Sequence, residues 1–195
     1  MDTSEIITIN TSLPTAEKVV YERYELVGEE DPILKKKLEK FDFSSSINTK
    51  ELTGRLIETL KINRAFGLAA NQCGLPYRVF VMGAGDNYFA LYNPEIIKVS
   101  EENVHLEEGC LSFPFLFLSI TRPKSLTVKF QNEVGDYVTL DLDGISARVV
   151  LHEIDHLNGI TFDTVAKPLA LKMAKKSREK KIKSFAKELV GIRRS

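Results

Sequence analysis

The run His152-Glu153-Ile154-Asp155-His156 brings two imidazoles and a carboxylate together at a spacing suited to hydrolysis. In a helix, residues four apart leave from the same side, so His152 and His156 can grip one divalent metal ion. Glu153 then stands beside them, placed to take a proton from water. A hydrolytic site of this type needs a third protein ligand and one open position. One familiar arrangement places a histidine six residues after the second, but position 162 is Phe162. Glu179 and Glu188 are available, yet both lie among lysines and read as solvated helix partners. Cys110, in Glu107-Glu108-Gly109-Cys110-Leu111-Ser112-Phe113-Pro114, is the better candidate. A thiolate is a strong ligand for a soft or borderline divalent metal, and a glycine-containing turn leaves neighbouring backbone N–H groups free to face a substrate.

These residues need elements to hold them. Ala147, Val150, Leu151, Ile154 and Leu157 give the stretch from Ser146 to Gly159 an apolar helical face. Ser146 is suited to cap its start and Gly159 to sit just past its end. Thr49 is suited to cap a second amphipathic helix, which runs through Leu52, Leu56, Ile57 and Leu60. A short helical stretch opens at Asp31-Pro32, followed by a serine-rich loop over 42–48. Between Tyr77 and Asp141 the pattern changes to short β-rich segments at 77–82, 88–92, 95–99, 115–121, 125–131 and 137–142. Glycine- and asparagine-rich turns separate them and predict antiparallel strands. A β-branched run at Ile6–Ile9 suggests no chemistry.

The chain has 195 residues, with 43% apolar and 28% charged, which fits one compact domain and excludes a disordered or fibrous chain. The most apolar stretch, 113–120, is too short for a membrane span and contains a proline and a serine. No basic residue precedes an apolar run at the N-terminus, so a cytoplasmic setting is expected. Two cysteines in such a setting are thiols or ligands rather than a disulfide, and Cys73 reads as a small apolar residue. The net charge is zero, but residues 166–195 hold eleven Lys or Arg against two Glu, a net of +9 that the rest of the chain offsets. A basic helix is expected there, facing either solvent or an anionic partner.

Three motifs together resemble a known family. Gly67-Leu68-Ala69-Ala70-Asn71-Gln72, Glu108-Gly109-Cys110-Leu111-Ser112 and His152-Glu153-Ile154-Asp155-His156 look like the signatures of the peptide deformylases, in the same order and at similar separations. The resemblance implies removal of the formyl group from nascent proteins that begin with formyl-methionine. It implies an α+β fold, with antiparallel and mixed sheets packed around the histidine-bearing helix and a C-terminal helix beyond. It divides the chain into an extension over 1–30, a catalytic domain over 31–165 and a basic helix and tail over 166–195. By resemblance, Cys110, His152 and His156 are metal ligands, Glu153 is the general base, and Gln72 with the Leu111 N–H meets the formyl oxygen. The metal is expected to be Fe²⁺, with Zn²⁺, Ni²⁺ or Co²⁺ as other occupants. Gly67 admits the peptide backbone, while Phe66, Leu106, Ile145 and Val149 flank the methionine side chain. Glu108 and Arg122 form a supporting ion pair, Asp155 is a candidate to orient a histidine, and the basic tail implies contact with the ribosome.

This sequence departs from the family pattern at Ala65 and Asn71, neither of which supplies a catalytic atom. After Ser112, the run Phe113-Pro114-Phe115-Leu116-Phe117-Leu118 is unusually apolar for the substrate rim. Two other assignments compete with the deformylase one: a His-Glu-x-x-His metallopeptidase, and a structural-metal module that binds nucleic acid through its tail. The second needs a fourth ligand, for which only His105 and Cys73 remain.

Overall fold

The computed structural model describes residues 21–192, with side chains through residue 187; the Ile6–Ile9 run lies outside these residues. Among the described residues, seven strands are arranged in two sheets. Strands β1 (Gly67–Ala69), β2 (Val79–Ala84), β3 (Asn87–Val99), β6 (Ser125–Gln131) and β7 (Tyr137–Asp143) form a five-stranded sheet in that order. Strands β4 (Asn103–Cys110) and β5 (Phe113–Pro123) form a separate hairpin. Every strand pairing in both sheets is antiparallel.

Alternation along β1 and β2 explains how the large sheet is covered on both faces. Leu68, Val79 and Val81 point to one side, where helix α1 (Thr49–Ile62) buries Leu52, Leu56 and Leu60 against them. Ala69, Phe80 and Met82 point to the other, against Ala147, Val150, Leu151, Ile154 and Leu157 of helix α2 (Gly144–Leu157). A strand with apolar residues at consecutive positions is what burial between two helices requires. The apolar face expected for α2 is thus the face that meets the sheet.

Both helix starts differ from the sequence expectation. The side chain of Asn48, not Thr49, accepts the Glu51 N–H of α1 at 3.1 Å. Helix α2 begins at Gly144, two residues before Ser146, because Gly144 turns at φ 54° and donates its N–H to Lys124 O. Its end is as expected. Gly159 adopts φ 74° so close to the chain that a Cβ would lie 2.6 Å from Lys35 O.

The hairpin has its own small core of Phe113, Leu116, Leu118 and Ile120, closed by Phe162 of the short helix α3 (Phe162–Val165). Leu171 and Ala174 of the long helix α4 (Pro168–Ile192) pack against the same core. Residues 21–30 are tied to the body: Val27 N donates to Gln72 O at 2.9 Å, and Tyr24 N donates to Thr59 Oγ1 at 2.8 Å. No helix among the described residues is long and apolar enough to cross a membrane.

Candidate active site

Helix α2 carries His152, Glu153 and His156, all buried, with the two imidazole centres 5.0 Å apart. The hairpin turn brings Cys110 to them from the other side, its Sγ 3.2 Å from His156 Nε2. A 3-10 turn that follows β1 (Ala70–Cys73) supplies Gln72, whose Nε2 donates to Cys110 Sγ at 3.5 Å and Ser112 Oγ at 3.2 Å. The amide is oriented by its other end, where Oε1 accepts the Ala69 N–H at 2.9 Å. Three parts of the chain far apart in sequence therefore meet at one point.

The donor set fits a divalent metal ion. Ligand-capable atoms of Cys110, His152 and His156 all lie within 4.8 Å of one another, and a thiol with two imidazoles suits a soft or borderline cation. Burial, with the charges of His152 and Arg122, holds His156 well below the usual imidazole range, leaving it neutral and able to donate a lone pair. For His152, burial opposes charge, but the Cys110 thiol and the Glu108 carboxylate outweigh it and lift the group to about 10. The positive charge gathered there is one that a bound cation would replace. His105 takes no part, because its Nδ1 is 3.0 Å from Thr121 Oγ1 on the exposed side of the hairpin. Neither it nor Cys73, which packs beside α1, can complete a closed four-ligand site.

Behind the histidines lies a charged network only partly visible in the sequence. Glu108 receives Arg122 through two bonds, Nε at 2.6 Å and Nη2 at 3.0 Å, and lies 3.0 Å from His152 Nδ1. Asp155 joins through Arg122 Nη1 at 2.8 Å, so it reaches His152 only indirectly. Burial alone would raise the Glu108 carboxyl, but hydrogen bonds from His152 and Arg122 win and bring it down to about 2. Arg148 was not anticipated. It donates to Glu108 Oε1 at 2.6 Å, Val104 O at 2.6 Å and Ile120 O at 3.1 Å, fastening the hairpin to α2. Its position on the buried side of α2, one turn before His152, was the available signal. Asn71 was also missed as a brace: it is fully buried, and its Nδ2 donates to His156 O at 2.7 Å.

Above these groups opens a cavity of about 780 Å³. Cys110, His152, Glu153 and Gln72 are at its base, with Leu111, Phe66, Ile145 and Val149 on its walls. Leu106 does not line it; the residue pairs with Ile120 across the hairpin and is half-exposed. Gly67 also lines the cavity, but a Cβ there would point inward, 2.5 Å from Glu153 Oε1 and 2.7 Å from Val149 Cγ1. Burial raises the Glu153 carboxyl to about 7, only partly countered by the charges of His152 and Arg122.

A family model for polypeptide deformylase matches residues 23–171. The chain belongs to the peptide deformylase family. The peptide deformylase of Thermotoga maritima is 46% identical over 133 residues, covering 67% of this chain and 79% of that one. The crystal structure of the Thermotoga maritima enzyme superposes with a TM-score of 0.72 at 40% identity, covering 76% of this chain and all of that one. A deformylase from Synechococcus elongatus, crystallised with actinonin, gives 0.76 at 25% identity over 91% of this chain and 95% of that one. The chain is therefore an enzyme of deformylase function, and its Cys/His/His cluster is compatible with the divalent metal this family implies. The expected α+β fold is the observed one. The peptidase and structural-module alternatives give way to it.

Proposed function

We propose that Cys110, His152 and His156 hold one divalent metal ion, that Glu153 is the general base, and that the substrate is the formylated methionine of a nascent chain. What supports this most directly is that Cys110, His152 and Glu153 line one cavity, with His156 buried beside them and its Nε2 3.2 Å from Cys110 Sγ. A divalent ion bound there supplies a Lewis acid and an acidified water at neutral pH. Glu153 takes the proton from water and passes it to the departing amine, so formate and a free methionine N-terminus leave. A carboxyl raised to about 7 by burial is suited to both halves of that transfer. Gln72 Nε2 and the Leu111 N–H face the formyl oxygen, where each aimed donor is worth about 3 kcal/mol as charge builds.

Phe66, Ile145 and Val149 take the methionine side chain, while β1, an edge strand of its sheet, lies where an extended peptide can run alongside it. Glu108 and Arg122 keep the His152 ring in place. Fe²⁺ is the proposed occupant, and the cytoplasm the proposed setting. The exposed lysines of α4, among them Lys172, Lys175, Lys176, Lys180 and Lys183, are proposed to meet the ribosome. Reversing their charge should abolish ribosome cosedimentation at low salt; unchanged binding refutes that contact. The catalytic assignment is tested with formyl-Met-Ala-Ser and protein loaded anaerobically with Fe²⁺ or Ni²⁺. Glu153→Ala at matched metal content should lose several orders of magnitude in kcat, and a loss under tenfold refutes Glu153 as the base.

A further inference from the structure

Beyond the methionine subsite, the cavity is walled by a segment whose geometry is irregular for a strand. Gly109 pairs with Phe117 and Cys110 with Phe113, so Pro114, Phe115 and Leu116 bulge out of the hairpin within a few residues of the proposed ligand. At the centre of that bulge Phe115 has φ 63°, a left-handed conformation that a bulky side chain seldom takes. Its ring is half-exposed and lines the cavity rather than the hairpin core. Strained residues persist where their surroundings over-determine them, and bulges beside active sites re-aim side chains.

Here the surroundings include α4. The Phe185 ring lies against that of Phe115, with centroids 5.6 Å apart. Arg178 Nε donates to Pro114 O at 2.8 Å, while its Nη1 pairs with Glu29 at 2.7 Å. Lys181 Nζ sits 4.7 Å from the centre of the Phe117 ring, and that ring covers Gly109, leaving only 3.0 Å for a Cβ there. Phe115 and Phe117 are thus open to the cavity on one side and held by the C-terminal helix on the other.

We propose that Phe115 and Phe117 form an apolar recognition wall for the side chains that follow formyl-methionine, and that α4 positions it. The inference rests on the deformylase assignment of the same cavity and adds a preference to it. The segment 113–118 carries no charged side chain, so an aromatic or long aliphatic residue is favoured there over a small or polar one. The arrangement gives the basic helix a second task within the enzyme, independent of any external partner.

The test compares kcat/KM for formyl-Met-Ala-Ala-Ala, formyl-Met-Phe-Ala-Ala and formyl-Met-Ala-Phe-Ala on metal-loaded, full-length protein. At least one phenylalanine peptide should be preferred about tenfold over the all-alanine peptide, with the difference in KM rather than kcat. Phe115→Ala should reduce that ratio to about twofold, a change of selectivity that general destabilisation would not produce. Phe185→Ala leaves Phe115 in the chain and removes its brace; the ratio should fall about threefold, again through KM. Equal rates for all three peptides in the parent, or an unchanged preference in both variants, overturns the inference while leaving the deformylase assignment standing. No hydrolysis of any of the three with metal bound overturns both.

Discussion

Replacing Gly67 by alanine adds one methyl group at a place where the structure specifies what it meets. Its backbone is not left-handed, so alanine is not excluded by conformation; the obstacle is space. The new Cβ would lie 2.5 Å from Glu153 Oε1, 2.7 Å from Val149 Cγ1 and 2.9 Å from Glu153 Cδ. An ordinary contact begins at 3.4 Å, so the carboxylate must retreat by 0.9 Å, the difference between 3.4 and 2.5 Å. The carboxylate can swing toward the cavity but Val149 Cγ1 must give as well, so overpacking should cost about 1–3 kcal/mol. At roughly 2–4 °C per kcal/mol for a chain of this size, the melting midpoint should fall by several degrees. A base displaced by nearly 1 Å should lose on the order of 100-fold in kcat. None of the three proposed ligands is among the atoms that the methyl group meets, so metal content should be unchanged. Steady-state hydrolysis of formyl-Met-Ala-Ser, with metal measured on the same sample, separates these effects. A rise in KM with kcat intact would place the clash on the peptide, and activity within threefold of the parent would refute the reasoning altogether.

Arg148→Met should cost about 3 kcal/mol in urea unfolding, because it removes a charge from a buried network and leaves the Val104 and Ile120 carbonyls short of a donor. A loss below 1 kcal/mol would show the network to be dispensable. The same variant should bind metal roughly 10-fold more weakly, since Glu108 no longer has its second arginine to fix it against His152. Acid sensitivity should follow Glu108. Its folded carboxyl is lowered to about 2 from an ordinary 4.5, so its contribution is present above 4.5 and lost as pH falls toward 2. A pH series of melting midpoints should show that slope, and Glu108→Gln should flatten it. Burial raises the Cys73 thiol to about 12, so iodoacetamide at pH 8 should leave it unmodified in the folded protein and label it after denaturation.

The parts of the molecule that could be read from sequence are those whose role imposes a period. Helix α2 has apolar residues at helical spacing because one face is against the sheet, and its histidines follow from the same period. Strands β6 and β7 alternate and were placed to within a residue. Strand β4 gave no such pattern. In a two-stranded hairpin most of its side chains remain outside a core, so no alternating apolar run marks it in the sequence. Arg148 carried no signal of its bonds because a sequence does not show which carbonyls will approach it. The caps differed by a residue or two for a similar reason: Gly144 turns to meet Lys124 O, a partner outside the helix.

The separation of the hairpin from the five-stranded sheet has a consequence for how the enzyme comes apart. Among the described residues no backbone ladder joins the two sheets, and the seam between them runs through the active site. Across it the Arg148–Glu108 and Arg122–Asp155 bonds serve as rivets, beside the proposed metal ligands. A cation bound to Cys110 and both histidines would close a loop of some forty residues between hairpin and helix, so loading it should tighten cooperativity as well as raise stability. Stripped of it, the hairpin should be the first unit to exchange its amide hydrogens, while β2 and β3 are the last.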